Sequence, residues 1–278
     1  MHIATTQEGD ERSLTTLWKW ARLTGDDWQN LLAEIRDSDV PVNGEIIRNL
    51  GNEILKLTEA GDETFGNILS TVLQSTDFLK SPALQKAMQS GFDPYKLAKG
   101  NTALYIIIPA DKLKSHFKWL RLMVTVCLRA VIRRPQKRVA FLLDEFAALG
   151  YLPEIETALS TYAGYQVTIC PILQSLIQLK DLYGDNWETF TANCTIRQFF
   201  SVNDNFTAEY VSTAIGKTSN PTSDGMNARH LVTPDELRRY SGKNIFAFFE
   251  SSPPTYFNKY PYYIWEKLKG RADANPYI

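Results

Sequence analysis

Two adjacent carboxylates, Asp144 and Glu145, follow directly on the apolar run Val139-Ala140-Phe141-Leu142-Leu143. Buried parallel strands read as continuous apolar runs, and open α/β sheets bind ligands at the C-terminal ends of such strands. Nucleoside triphosphate hydrolases need such a pair there: one carboxylate holds Mg²⁺, directly or through water, and the other polarises the attacking water. A strand that merely ends in a solvated acidic turn would leave the same trace. A second polar group belongs to the same edge. The apolar segment 167–173 ends at Gln174-Ser175. An amide beside the acidic strand can contact a terminal phosphate or position water, and Ser175 is expected to cap the helix that follows.

Such chemistry also calls for a glycine-rich phosphate loop that follows a strand, opens a helix and ends in Gly-Lys-Ser/Thr. The only candidate is Gly216-Lys217-Thr218, but the pattern needs glycine at position 211, which is Val211, and the preceding segment reads as helix. It is rejected. The carboxylates therefore stand without a phosphate loop, which is expected to lie upstream of Met1 if this is nucleotidase machinery.

The elements that must position these groups fall into two parts. Over 11–95 apolar residues recur at helical spacing, as in Leu14, Leu17, Trp18 and Ala21 and then in Ile46, Ile47, Leu50 and Ile54. No strand is expected there, which gives a small all-helical unit with Trp18, Trp20 and Trp28 as core anchors. From 96 to 278 strands at 103–108, 139–143, 167–173, 196–200 and 245–249 alternate with helices at 117–132, 152–162, 175–183 and 206–215. That alternation predicts an α/β domain with a doubly wound, mostly parallel sheet.

The chain has 278 residues, 44% of them hydrophobic and 22% charged, an ordinary globular composition. No apolar run is long enough to span a membrane, and no signal peptide pattern opens the chain. Cys127, Cys170 and Cys194 fit neither a zinc site nor a disulfide framework. His2, His116 and His230 show no metal spacing. The net charge of −1 hides a split: residues 1–95 carry 15 Asp/Glu against 8 Lys/Arg, and residues 96–278 carry 16 against 22. An acidic part suits basic protein segments, and a basic part suits phosphates.

The run Phe141-Leu142-Leu143-Asp144-Glu145-Phe146-Ala147-Ala148-Leu149-Gly150 resembles the Walker B region of type IV secretion coupling proteins, the VirD4/TraG group. Ile172-Leu173-Gln174-Ser175, Leu182-Tyr183-Gly184, Asn203-Asp204, Thr233-Pro234-Asp235-Glu236-Leu237 and Tyr105-Ile106-Ile107-Ile108-Pro109 continue the likeness in consistent order over about 95–250. The resemblance implies a RecA-like motor domain at 96–278, incomplete for want of its phosphate loop, with 11–95 as the inserted all-α domain that recognises cargo. It implies ATP and Mg²⁺ as cofactors, Asp144 as the Mg²⁺ residue, Glu145 as the catalytic carboxylate and Gln174, with Ser175 beside it, as the sensor of the terminal phosphate. It implies a homo-hexameric ATPase at the cytoplasmic face of the bacterial inner membrane, which passes relaxase-bound DNA or effector proteins to secretion-system components. A non-enzymatic recruitment module on the same scaffold, or a hexameric DNA translocase, are the alternatives.

One departure concerns the arginine that some relatives carry before the third strand. Here that segment is Tyr162-Ala163-Gly164-Tyr165-Gln166, leaving Arg197 as a weak substitute. Two basic stretches, 133–138 and 112–121, could touch DNA phosphate or simply be solvated. The aromatic tail of Tyr256, Phe257, Tyr260, Tyr262, Tyr263 and Trp265 could stack bases, fill a subunit groove or cover the last sheet edge. Asp26, Asp27, Asp37 and Asp39 could face cargo, or Asp26 and Asp27 could cap a helix.

Overall fold

A computed structural model describes residues 1–59, 61–89, 91–222, 225–240, 242, 244–250, 252–271 and 273, so the expected domain end at 278 lies outside the described residues. The chain forms two compact units. The first is Met1–Pro94 with Ile106–Trp119, and the second is Tyr95–Tyr105 with Leu120–Ile278.

The first unit is helical. It contains α1 (His2–Thr6), α2 (Leu14–Trp20), α3 (Gly25–Arg36), α4 (Gly44–Glu59), α5 (Asp62–Thr76) and α6 (Pro82–Gln89). Ser13 starts α2 by accepting the Thr16 backbone N–H at 3.4 Å. Proline opens α6, where its missing N–H is no loss. The core is aliphatic: Leu31 and Leu32 of α3, Ile47 of α4, then Leu79 and Leu84, all buried. α3 and α4 pack so closely that a Cβ on Gly51 would sit 2.8 Å from Arg36 Cγ. The three tryptophans expected as core anchors are only half-buried. Trp28 packs on Phe65 and Trp18 lies under the Arg22 guanidinium, so they wall the unit rather than fill it.

The second unit holds α7 (Tyr95–Lys99) and takes Leu120 onward from α8 (Leu113–Arg133). Next come β1 (Val139–Leu143), α9 (Pro153–Thr161), β2 (Val167–Pro171), α10 (Leu176–Tyr183), α11 (Trp187–Asn193), β3 (Ile196–Phe200) and α12 (Asn205–Ile215). The last elements are β4 (Lys217–Thr222), β5 (Gly225–His230), α13 (Pro234–Arg239), β6 (Asn244–Phe249) and β7 (Thr255–Asn258). The α/β class is as expected, but the strand directions correct the expectation of a mostly parallel sheet. Only β1 and β2 run parallel among the described pairs. β3–β6, β6–β7 and the hairpin β4–β5 are antiparallel. The expected strand at 103–108 is not one: Leu104, Ile106 and Ile108 are half-buried and alternate with exposed Tyr105 and Ile107, but among the described residues no strand pairs with them. The run has the period of a strand without a partner to supply its ladder.

Covering helices lie on one side of β1, β2 and β3. Along β1 the residues alternate, with Leu142 73% exposed. β2 exposes Thr168 and Cys170, and β3 exposes Ile196, Gln198 and Phe200. The continuous apolar runs had implied strands covered on both faces. Among the described residues one face of β1, β2 and β3 is bare. The central strand β6 does have both faces covered, and it joins Val202, Ala208, Val211 and Leu237 in a core beneath α12 and α13.

Candidate functional site

β1 and β2 remain hydrogen-bonded one step beyond their ends. The Ile172 N–H donates to Leu143 O at 3.0 Å, and the Phe146 N–H donates to Ile172 O at 3.2 Å. With Leu143 level with Pro171, this pairing carries Asp144 and Glu145 alongside the segment leading to Gln174. Both carboxylates are exposed. The Gln174 side-chain amide donates to Glu145 Oε2 at 3.4 Å. Three of the four expected site residues therefore meet at one sheet edge.

What fixes the acidic turn is the next residue. Phe146 is fully buried, stacked on Tyr183 at 6.2 Å between centroids and tilted against Phe190 at 5.9 Å. The turn 146–149 then closes at Gly150, whose φ of +64° suits glycine. Tyr183 is anchored in turn: its hydroxyl donates to Leu152 O and accepts the Leu152 N–H, both at 3.3 Å. Burial pushes the Tyr183 phenol above its ordinary pKa, and the Leu152 backbone bond partly offsets this.

Ser175 departs from expectation. It occupies the N-cap position of α10 with an extended backbone, but its side chain makes no capping bond. Two residues that sequence reasoning missed take over. The Gln178 Oε1 accepts the Gln174 backbone N–H at 2.9 Å, and the Thr207 Oγ1 accepts the Leu176 N–H at 3.1 Å in a buried contact. Thr207 is itself held by Asp204, which caps α12 at 2.8 Å. The Asp204 cap was readable three residues ahead of Thr207; nothing in the sequence signals the reach of Thr207 to α10.

The remaining candidates resolve individually. Arg197 points to the covered side of β3, donating to the Tyr210 hydroxyl at 2.8 Å with its guanidinium over the Phe248 ring. It is a packed residue, not a free cation. Gly216 ends α12 with φ +106° and Lys217 begins a hairpin, the reverse of the strand-to-helix order that a phosphate loop requires. Arg134 lies over the Tyr95 ring, and the Lys118 ammonium donates to Gln74 O. Among the described residues no cluster of three His, Cys, Asp or Glu could hold a metal alone. Two carboxylates are nonetheless a fitting set for Mg²⁺, which keeps water and shares its coordination with substrate phosphates.

A model of the type IV secretory system conjugative DNA transfer family matches residues 40–276. This chain belongs to that family. Conjugal transfer protein TraG of Rhizobium radiobacter is 29% identical over 214 residues, 69% of this chain and 33% of that protein. Protein VirD4 of Agrobacterium fabrum is 30% identical over 202 residues, 65% of this chain and 30% of that protein. The chain thus spans about a third of the length of these curated relatives. Plasmid coupling protein TrwB, solved with the non-hydrolysable ATP analogue ADPNP, superposes with a TM-score of 0.65 at 20% identity, covering 89% of this chain and 58% of that one. The TrwB structure with ADP and Mg²⁺ gives 0.59 at 19%, covering 92% and 66%. These likenesses establish a shared fold. No helix among the described residues is long and apolar enough to cross a membrane.

Proposed function

We propose that this chain supplies the carboxylate half of a RecA-like nucleotide site in a coupling ATPase of conjugation or type IV secretion. Asp144 would hold Mg²⁺ and Glu145 would polarise the attacking water. Gln174, seated beside Ser175, would read the terminal phosphate. ATP with Mg²⁺ fits these residues, and TrwB is known with ADPNP and with ADP and Mg²⁺. The single observation that carries the reading is the 3.4 Å contact between the Gln174 amide and Glu145 at the end of β1, in a chain matched by the family model. It couples the group that would touch phosphate to the group that would activate water.

The phosphate loop would come from polypeptide outside these residues, and the sheet supports this. β2 and β3 share no hydrogen bonds, yet the helices that follow them, α10 and α12, are in direct contact. Packed helix axes lie about 8–10 Å apart, roughly two strand spacings of about 4.8 Å, which leaves room for one strand between β2 and β3. A strand ending in a phosphate loop would fill that place, and its flanking helix would cover the bare face.

The acidic helical residues 11–95 would receive cargo, either relaxase-bound DNA or effector proteins. The complete protein would act as a hexamer at the cytoplasmic face of the inner membrane, together with secretion-system components. A non-enzymatic recruitment role is favoured only by the lack of a phosphate loop within these 278 residues. The deciding experiment compares ATP hydrolysis by the complete gene product with hydrolysis by this chain, each with and without Glu145→Gln. Activity in the long form that drops about 10²- to 10⁴-fold on substitution, the scale of a lost general base, supports the motor. Undiminished turnover by Glu145→Gln sinks the assignment of Glu145, and an inactive long form favours recruitment.

A further inference from the structure

Gln174 stands on a short span outside the regular hydrogen-bond ladder. The β1–β2 pairing ends with the two bonds at Ile172, and α10 begins at Leu176, whose N–H is held by Thr207. Between them lie Leu173, Gln174 and Ser175. Of these three backbone donors, only the Gln174 N–H is hydrogen-bonded among the described residues, and its acceptor is Gln178 Oε1 at 2.9 Å. A backbone N–H can only donate, so the oxygen of the Gln178 amide is the atom that faces it. That contact is shorter than the 3.4 Å between the Gln174 side chain and Glu145, which it supports from behind.

The spacing Ser175-Leu176-Ile177-Gln178 is that of a capping box. In such a box the third helical residue accepts the N–H of the N-cap residue, and the N-cap side chain returns the bond. α13 closes one: the Thr233 N–H donates to Glu236 Oε2 at 2.8 Å, and the Glu236 N–H donates to Thr233 Oγ1 at 3.4 Å. At α10 the box stays open. Ser175 makes no capping bond, and Gln178 reaches one residue past it to Gln174. The helix gives up a cap, and the residue whose side chain meets Glu145 gains a fixed backbone. The two side chains also differ in charge. Glu236 is a carboxylate, whereas Gln178 is neutral and adds no third negative charge beside Asp144 and Glu145, where triphosphate would have to sit. We infer that Gln178 is a positioning residue, which fixes the backbone from which the Gln174 amide reaches both Glu145 and a terminal phosphate. The inference rests on the reading of Gln174 as the phosphate sensor.

The first test needs no nucleotide and uses this chain: amide hydrogen exchange at Gln174, followed by NMR. Gln178→Met keeps the length of the side chain without a strong acceptor. It should speed exchange at Gln174 roughly 2- to 12-fold, the worth of one neutral hydrogen bond. Gln178→Glu keeps an oxygen at the same reach and should leave exchange slow. The second test is turnover by the complete gene product. Gln178→Met should lower kcat about 10- to 100-fold, the scale of a group misplaced by about 1 Å, with KM for ATP little changed. Gln178→Glu should recover most of that kcat. A side chain that only stabilised α10 would lower the unfolding midpoint and leave kcat of the folded protein as it was. Unchanged exchange at Gln174 in Gln178→Met overturns the proposal, as does undiminished kcat in that variant when Glu145→Gln is slow. A fast Glu145→Gln enzyme overturns the reading of the site itself and the catalytic half of this proposal with it, and exchange still decides whether Gln178 holds the Gln174 backbone.

Discussion

Replacing Phe146 with alanine asks whether the acidic turn is held by its buried neighbour. The ring has no exposure and touches Tyr183 and Phe190, which are themselves 4.2 Å apart between centroids. Deleting a buried phenylalanine leaves a cavity and costs about 3–5 kcal/mol. Loss of two aromatic contacts, about 0.5–1.5 kcal/mol each, puts this site toward the upper end. Phe146→Leu keeps most of the volume and should cost about 1–2 kcal/mol. Urea unfolding followed by far-ultraviolet circular dichroism would show the midpoint fall in that order at constant slope. In a form able to hydrolyse ATP, Phe146→Leu should also lower turnover while leaving the protein folded, because Glu145 is aimed by the residue that follows it. A loss below about 1 kcal/mol for Phe146→Ala would mean that the three rings do not form a packed core, and the idea that they brace Glu145 would fail with it.

Two helical glycines should respond with opposite sign. Gly66 of α5 has open space where a Cβ would go, so Gly66→Ala should stabilise by about 0.5–1 kcal/mol. At Gly51 the added Cβ meets Arg36 and Ile35 at 2.8 and 3.0 Å. Overpacking of about 1–3 kcal/mol there should outweigh the helix-propensity gain of about 1 kcal/mol; a more stable Gly51→Ala protein would mean that α3 and α4 can part without loss. Alkaline stability should follow Cys127, whose thiol is pushed by burial from 9.0 to about 11. The fold favours the neutral thiol, so its contribution is complete below pH 9 and is lost as pH rises through about 11, by up to about 3 kcal/mol. Cys127→Ala should flatten that part of the stability profile, and an unchanged slope would place the alkaline loss elsewhere.

What could be read from sequence follows from which interactions leave a local trace. Asp144, Glu145 and Gln174 were legible because each comes just after a short apolar run, and the end of a strand is a position that hydrophobicity alone marks. The β1–β2 pairing then brings the Glu145 and Gln174 side chains together. Gln178 was not legible: an amide in the first turn of a helix looks like solvated surface, and only the tertiary path of the chain lets it reach back to Gln174. The hairpin β4–β5 was missed because Lys-Thr-Ser-Asn-Pro-Thr carries no apolar alternation, so backbone pairing with β5 is its only signature. Strand direction failed for a related reason. Periodicity identifies β3 and β6 as strands equally well in either orientation, and α12, the hairpin and α13 between them decide that they meet antiparallel. The run 104–108 is the converse case, with the pattern present and the partner absent. Residues that alternate like a strand without pairing, and a pair of strands with one bare face, are legible as β-structure because the sequence records the environment they are built for. The structure of these 278 residues records only the part of that environment they supply themselves. Where the two disagree, at Tyr105, Ile107 and Leu142, the disagreement marks surface whose apolar character this chain alone does not explain.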